Sequence, residues 1–316
     1  MNFKKPHFWN LKKPNLYSYL LTPFTIPIII NNFLSKIKKK NKFSKIKSIC
    51  VGNIYLGGTG KTPLTIKLFK IIKEMGLKVV TAKKFYSSQT DEQTLLREKT
   101  KTIISNNRYD AINKAINNLD EVIIFDDGLQ EKKIDYDMKI VCFKKKNWIG
   151  NGQLIPAGPL REKIENLKNY DVVFLNGKNE SSGFIKEMIL NINSQIKIFD
   201  TYYEPKNFNN VDKNSNYLIF SGIGDPFSFK EILVENDINI VKEKIFPDHY
   251  FYKKKDMMNI LSEAQKLNAK ILTTEKDFVK LPENFKKKIN FLEIELIITE
   301  EQRLKHFLHD KFNKNN

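Results

Sequence analysis

A chain of 316 residues that is 41% hydrophobic can build one large α/β domain or two smaller ones, which excludes an intrinsically disordered polymer. Its formal charge of +18 points to anionic partners, namely nucleic acid, acidic lipid head groups or phosphorylated substrates, although Lys, Asn and Ile are abundant throughout and compositional drift shares the credit. Only two cysteines occur, Cys50 and Cys142, both in apolar stretches, which excludes a disulfide framework or a CxxC metal site and fits a reducing cytosol.

Along the chain, the first feature is LYSYLLTPFTIPIII, Leu16 to Ile30. It follows Lys4, Lys5, Lys12 and Lys13 and precedes Lys36, Lys38, Lys39 and Lys40. The run is shorter than the ~20 residues that span a bilayer, and Pro23 and Pro27 interrupt it. No small-residue cleavage site follows, so the pattern is not that of a signal peptide. A basic, aromatic-containing apolar segment suits the membrane interface, where anionic lipids add attraction. The competing reading is a helix packed on the body of the protein.

Next, Ile46 to Val51 reads as a strand and Pro63 to Met75 as a helix, with Leu64, Leu68, Ile71 and Met75 at helical spacing and Gly76 as its stop. Strands are predicted at Lys78 to Ala82, Lys101 to Ile104, Glu121 to Phe125, Met138 to Phe143 and Asp171 to Leu175. Further on they recur at Tyr217 to Ser221, Asn239 to Glu243 and Lys270 to Thr273. Strands alternating with helices predict a mostly parallel α/β sheet. The Gly/Pro-rich stretch Asn147 to Glu162 reads as a hinge. The expected division is an N-terminal membrane-associating segment (1–40), a P-loop domain (41–146) and a second, smaller α/β lobe (147–316) that contributes to a substrate cleft.

Between the first strand and helix stands GGTGKT, Gly57 to Thr62. The common loop, GxxxxGK[ST], would place glycine at position 55, where Tyr55 stands; the variant loops xGGxGK[ST] fit instead. The chemistry survives the change. Backbone N–H groups of Gly57, Gly58, Thr59 and Gly60 and the start of the helix at Pro63 still face an anion. Lys61 can reach the β- and γ-phosphates, and the Thr62 hydroxyl can bind Mg²⁺. A second element, EVIIFDDGLQ, sets Asp126 and Asp127 at the carboxyl end of an apolar strand, where ligands bind in open α/β sheets. One carboxylate can hold the metal through water while its neighbour orients water or substrate. A GTPase would show [NT]KxD late in the domain; Thr274-Glu275-Lys276-Asp277 has the wrong order, so ATP is the expected nucleotide.

VGNIYLGGTGKTP, FDDGLQ, GNGQLIPAGPLRE, FPDHYF and TTEKDFVKL, taken together and in this order, resemble the tetraacyldisaccharide 4′-kinase family. The matching blocks run from Phe8 to Leu281, and GGTGKTP followed by PAGPLRE is their most specific combination. The resemblance implies transfer of the ATP γ-phosphate to the 4′-hydroxyl of an acylated glucosamine disaccharide 1-phosphate, a lipid substrate. It places the enzyme on the cytoplasmic face of the bacterial inner membrane; beside it, the expected partners are the lipid substrate and an anionic membrane surface, with no nucleic acid, and the expected state is a monomer. It makes Asp91, in QTDEQ, the candidate base and His249, which Asp248 beside it could orient, the second candidate, and it pairs the two across the cleft with His249 coming from the second lobe. It adds Glu92 to Thr62 and Asp126 as holders of Mg²⁺, and Asp127, Gln130 and Arg161 as substrate contacts.

The sequence departs from the family pattern at three places. Thr90 and Gln93 replace the Gly and Pro that flank the acidic pair, Glu131 stands where the family has His, and Lys84-Phe85-Tyr86 replaces an arginine before Gly-Tyr. Lysine keeps the charge there but not the two-pronged hydrogen bonding. Two rivals stay open. One is a P-loop ATPase of the GGxGKT type without lipid kinase activity, against which Leu56 stands where such proteins often carry lysine. The other is a nucleic-acid-binding module that uses the basic charge, for which no fold motif is present.

Overall fold

The computed structural model describes residues 5–37, 39–129, 131 and 133–313. Twelve strands run in chain order among them: β1 (Lys47–Gly52), β2 (Val79–Lys84), β3 (Thr102–Ser105), β4 (Val122–Asp126), β5 (Met138–Lys144), β6 (Val172–Asn176), β7 (Lys197–Pro205), β8 (Asn216–Ser221), β9 (Asn239–Ile245), β10 (Lys270–Thr274), β11 (Asn290–Leu292) and β12 (Ile294–Ile298). The helices that bear on function are α1 (Leu16–Leu21), α2 (Ile26–Ile37), α3 (Lys61–Glu74), α4 (Thr90–Lys99) and, from the later part of the chain, α5 (Glu275–Phe278).

Two compact units share the chain. The first holds residues up to Lys84, Thr100–Tyr202 and Ile297 onwards; the second holds Phe85–Lys99 and Tyr203–Leu296. An eight-stranded sheet in the order β12-β7-β6-β5-β1-β4-β2-β3 forms the core of the first unit, with every pairing from β7 to β3 parallel. In the second unit β11-β10-β8-β9 form a smaller parallel sheet. Buried strands such as β1 and β4 are nearly all apolar because both sheet faces are covered.

The expected boundary at 146/147 falls inside the first unit. β5 pairs directly with β6 on the far side of the Gly/Pro-rich stretch, with Lys144 opposite Asn176. That stretch is not a free hinge. The Arg161 N–H donates to Ile54 O at 2.7 Å, and the Leu56 N–H donates to Pro159 O at 2.9 Å, so the loop is stitched to the residues before the phosphate loop. Trp9 is fully buried and its indole N–H donates to Pro156 O at 3.0 Å, which fastens the N-terminus to the same loop.

The N-terminal helices are inside out. Ser18, Thr25 and Ser35 are buried, whereas Leu16, Tyr17, Leu20, Phe24, Phe33 and Leu34 are each more than half exposed. Polar atoms do the anchoring: Asn151 Nδ2 donates to Ser18 Oγ at 2.8 Å, and Asn32 Nδ2 donates to Arg161 O at 3.0 Å. A helix that folds against a water-soluble body hides the opposite face. Among the described residues no helix is long and apolar enough to cross a membrane. The 12 residues of α2 reach ~18 Å at ~1.5 Å each, against ~30 Å of hydrocarbon.

Candidate active site

The first unit gathers the candidate nucleotide-binding residues where the strand order turns at β1, with β5 on one side and β4 on the other. The chain leaves β1 through Gly57 to Thr62 and enters α3 at Lys61. Gly57 and Gly60 have φ of 132° and 89°, and glycine takes such angles without the strain a Cβ would bring. Thr62, on the first turn of α3, donates its hydroxyl to Asp126 Oδ2 at 2.9 Å. Lys61 Nζ stands 3.7 Å from Asp127 Oδ1, and Arg161 Nη1 stands 3.8 Å from the same oxygen. The Asp127 backbone, at φ 58°, is held by Arg108, whose Nη2 donates to Asp127 O at 2.7 Å. The structure thus brings Lys61, Thr62, Asp126, Asp127 and Arg161 together. Gln130 lies outside the described residues.

One member of this centre is absent from the sequence expectations. Lys83 sits at the carboxyl end of β2, in register with Asp126 on β4, and its Nζ donates to Asp126 Oδ2 at 2.8 Å. Both side chains are almost fully buried, at 1% and 0% exposure. An unpaired charge there would be prohibitive, so each ion secures the other. A lysine closing the apolar strand VVTAK was the available signal. Asp126 Oδ1 is buried without a hydrogen-bond partner, which leaves one carboxylate oxygen open beside the phosphate loop.

The second unit assembles a different group. Asp91 lies on the first turn of α4, and its carboxylate lies against the His249 ring, with Nδ1 at 2.9 Å from Oδ1 and 3.0 Å from Oδ2. The pair was expected to form across a cleft, with Asp91 from the P-loop domain. Instead both residues belong to the second unit. The cause is α4, whose last turn is tied into that unit by Lys99, with Nζ 2.6 Å from Glu275 and 2.8 Å from Glu293.

Asp91 is buried, and the Glu92 N–H donates to its Oδ1 at 2.8 Å. Burial pushes the carboxyl up, but the His249 hydrogen bond and the charges of Lys276, His249 and Lys280 outweigh it. The net pKa lies below the usual aspartate value. An ionised carboxylate only accepts, so Nδ1 carries the proton, and a neutral ring in that tautomer has its lone pair on Nε2. His249 has φ 59°, a left-handed backbone uncommon outside glycine.

Glu92 does not stand alone either. Its Oε1 accepts from Lys276 Nζ at 3.1 Å and lies 3.8 Å from His249 Nε2. Among the described residues no group of three or more His, Cys, Asp or Glu side chains has metal-holding geometry. Glu131 replaces the family histidine and lies 4.0 Å from Arg108 Nη1. Burial pushes the Cys142 thiol up to about 12, so it is inert packing within the first unit's sheet.

Comparison with known proteins places these residues in context. A family model described as "Tetraacyldisaccharide-1-P 4'-kinase" matches residues 20–313. A protein named tetraacyldisaccharide 4′-kinase from Pelagibacter ubique is 51% identical over 307 residues, covering 96% of each chain. Its namesake from Rickettsia typhi is 36% identical over 313 residues, covering 93% of this chain and 94% of that one. Among solved structures, LpxK from Aquifex aeolicus in complex with ATP shares the fold. Its TM-score is 0.70 at 24% identity, covering 94% of this chain and all of that one.

Proposed function

The chain belongs to the tetraacyldisaccharide-1-P 4′-kinase family, and from that premise we propose that it transfers the γ-phosphate of ATP to the 4′-hydroxyl of a tetraacyldisaccharide 1-phosphate. What carries the reading is the family match across residues 20–313, which spans both the phosphate loop and the Asp91–His249 pair.

The backbone N–H groups of Gly57 to Thr62 and the start of α3 cradle the β- and γ-phosphates, and Lys61 turns from Asp127 to the phosphate oxygens. Thr62 and Asp126 would hold Mg²⁺: the Asp126 oxygen without a partner and the hydroxyl on the same carboxylate fit a hard cation. Such an ion supplies charge neutralisation on the phosphates. Glu92 is already matched to Lys276, so the metal is assigned to the first two residues. Asp127 and Arg161 orient the anionic acceptor. His249 Nε2 takes the proton of the sugar hydroxyl while the oxygen bonds to the γ-phosphorus and the bond to the β-phosphate oxygen breaks, releasing ADP. Asp91 keeps the ring in the right tautomer and stabilises the imidazolium that results. Of the two candidate bases this reading favours His249: the buried carboxylate orients, and the ring, 22% exposed, meets the substrate.

Phosphorus–proton NMR of the purified product tests the chemistry. The expected product carries its new phosphate on the 4′ oxygen; a phosphate on any other hydroxyl overturns the assignment.

The N-terminal helices give access to this acceptor by lying on an anionic membrane, at the cytoplasmic face of the inner membrane. The exposed apolar side chains enter the acyl boundary and the flanking lysines meet the head groups. Replacing Leu16, Leu20 and Phe33 by serine is expected to abolish co-sedimentation with vesicles containing anionic lipid. The melting temperature should not fall, because these side chains are 71%, 63% and 62% exposed. Undiminished sedimentation of the triple variant would remove the helices from the membrane-binding role.

A further inference from the structure

The segment Thr273–Leu281 builds a polar scaffold that ends on Asp91. Thr274 caps α5, its Oγ1 accepting the Asp277 N–H at 3.1 Å and donating to Asp277 Oδ2 at 2.7 Å. Asp277 is wholly buried. It also accepts the Gly222 N–H at 3.0 Å and the Tyr252 hydroxyl at 2.9 Å, and it grips Lys280 Nζ at 2.8 Å. So anchored, Lys280 Nζ stands 3.6 Å from Asp91 Oδ2. Lys276, four residues earlier, stands 3.7 Å from the same oxygen, 3.1 Å from Glu92 Oε1 and 3.3 Å from Asp248 Oδ1.

We infer that Lys276 and Lys280 are positioning residues for the Asp91–His249 pair and act on the reaction through Asp91. This rests on the reading of that pair as the group that takes the hydroxyl proton. The two Asp91 oxygens live in different surroundings. Oδ2 faces both ammonium groups, whereas Oδ1 accepts a backbone N–H from Glu92. Rotating the carboxylate would exchange one set for the other, so its plane is fixed and His249 Nδ1 is held against both oxygens. A carboxylate at 1% exposure stays ionised only among positive charges, and only the ionised form keeps the imidazole proton on Nδ1. Lys276 has a second task. Glu92 and Asp248 each place an oxygen 3.8 Å from His249 Nε2, and their shared ammonium restrains them from turning in on the atom that must receive the substrate proton.

The test substitutes Lys276→Met and Lys280→Met, each alone and combined with His249→Ala, and measures kcat and KM for ATP at saturating lipid acceptor. Each single change is expected to lower kcat about ten- to hundredfold, with KM for ATP within about twofold. In the His249→Ala background the same changes should move the residual rate less than about twofold, because what they position is gone. Alkylating Lys276→Cys with 2-bromoethylamine should restore kcat, and iodoacetamide should not; Cys50 and Cys142 are buried and stay out of the reaction. Equal losses in both backgrounds, unchanged kcat in the single variants, or a loss confined to KM would overturn the inference. Wild-type kcat in His249→Ala alone would instead overturn the reading of the pair, and the inference with it. Should Lys280→Met fail to fold, Lys276, 20% exposed, carries the same test.

Discussion

Lys61→Ala is expected to reduce phosphoryl transfer to the lipid by about three orders of magnitude, the largest loss from any single change in the first unit. Lys61 is the one cation of the phosphate loop itself, and its Nζ rests 3.7 Å from Asp127, an ion pair loose enough to be given up for a phosphate. The developing charge in phosphoryl transfer is met by fixed positive charges, and none of the neighbours replaces this one. Lys83 is committed to Asp126 at 2.8 Å, and Arg161, 3.8 Å from the same Asp127 oxygen as Lys61, is assigned to the acceptor. Lys61→Arg is not expected to rescue, since a planar fork does not fit where a point charge follows the loop. Label transfer from ATP, with nucleotide affinity measured by calorimetry, checks both parts. A variant that keeps more than a tenth of wild-type transfer would contradict the assignment.

His249→Ala and Asp91→Asn carry the second large effect, a fall in kcat of about 10²- to 10⁴-fold. The affinity for ATP should stay within about threefold, because neither residue belongs to the unit that carries the phosphate loop. Asp91→Asn removes the negative charge that fixes the proton on Nδ1, so the ring is free to adopt the tautomer in which Nε2 is already protonated and cannot accept. The two substitutions should not add: once the ring is gone, the carboxylate has nothing to orient. Additive losses would mean that Asp91 and His249 act on different steps.

Much of this protein was legible in its residues because burial leaves a plain signature. β1, β4, β5 and β6 are short apolar runs between turn signals, and they fall within a residue or two of expectation. The phosphate loop was readable for a local reason, since strand, glycines, lysine and helix follow one another without a break. β7, β11 and β12 were not expected. β7 mixes buried and half-exposed positions along KIFDTYYEP, and β11 and β12 span only three and five residues, so none has a clean period.

The larger surprises are tertiary. Nothing local in TDEQTLLREK says that this helix joins a unit whose remaining segment begins only at Tyr203. What draws it there is Lys99 on Glu275 and Glu293, and Lys276 on Asp91 and Glu92, pairings that no window of sequence contains. Lys83 was missed for a similar reason. A lysine at a strand end reads as solvated until the register sets it against a buried aspartate. The departure at Lys84-Phe85-Tyr86 thus sits beside a pairing that the family comparison gave no cause to expect.

One measurement bears most directly on the claim that this is a lipid kinase. Wild-type protein is incubated with γ-labelled ATP, Mg²⁺ and tetraacyldisaccharide 1-phosphate in detergent, and label in the lipid is counted against label released as inorganic phosphate. The structure and the family together predict that nearly all label lost from ATP appears in the lipid, and that omitting the acceptor nearly stops ATP turnover. ATP consumption that proceeds without the acceptor and leaves the lipid unlabelled would contradict the account and favour a P-loop ATPase.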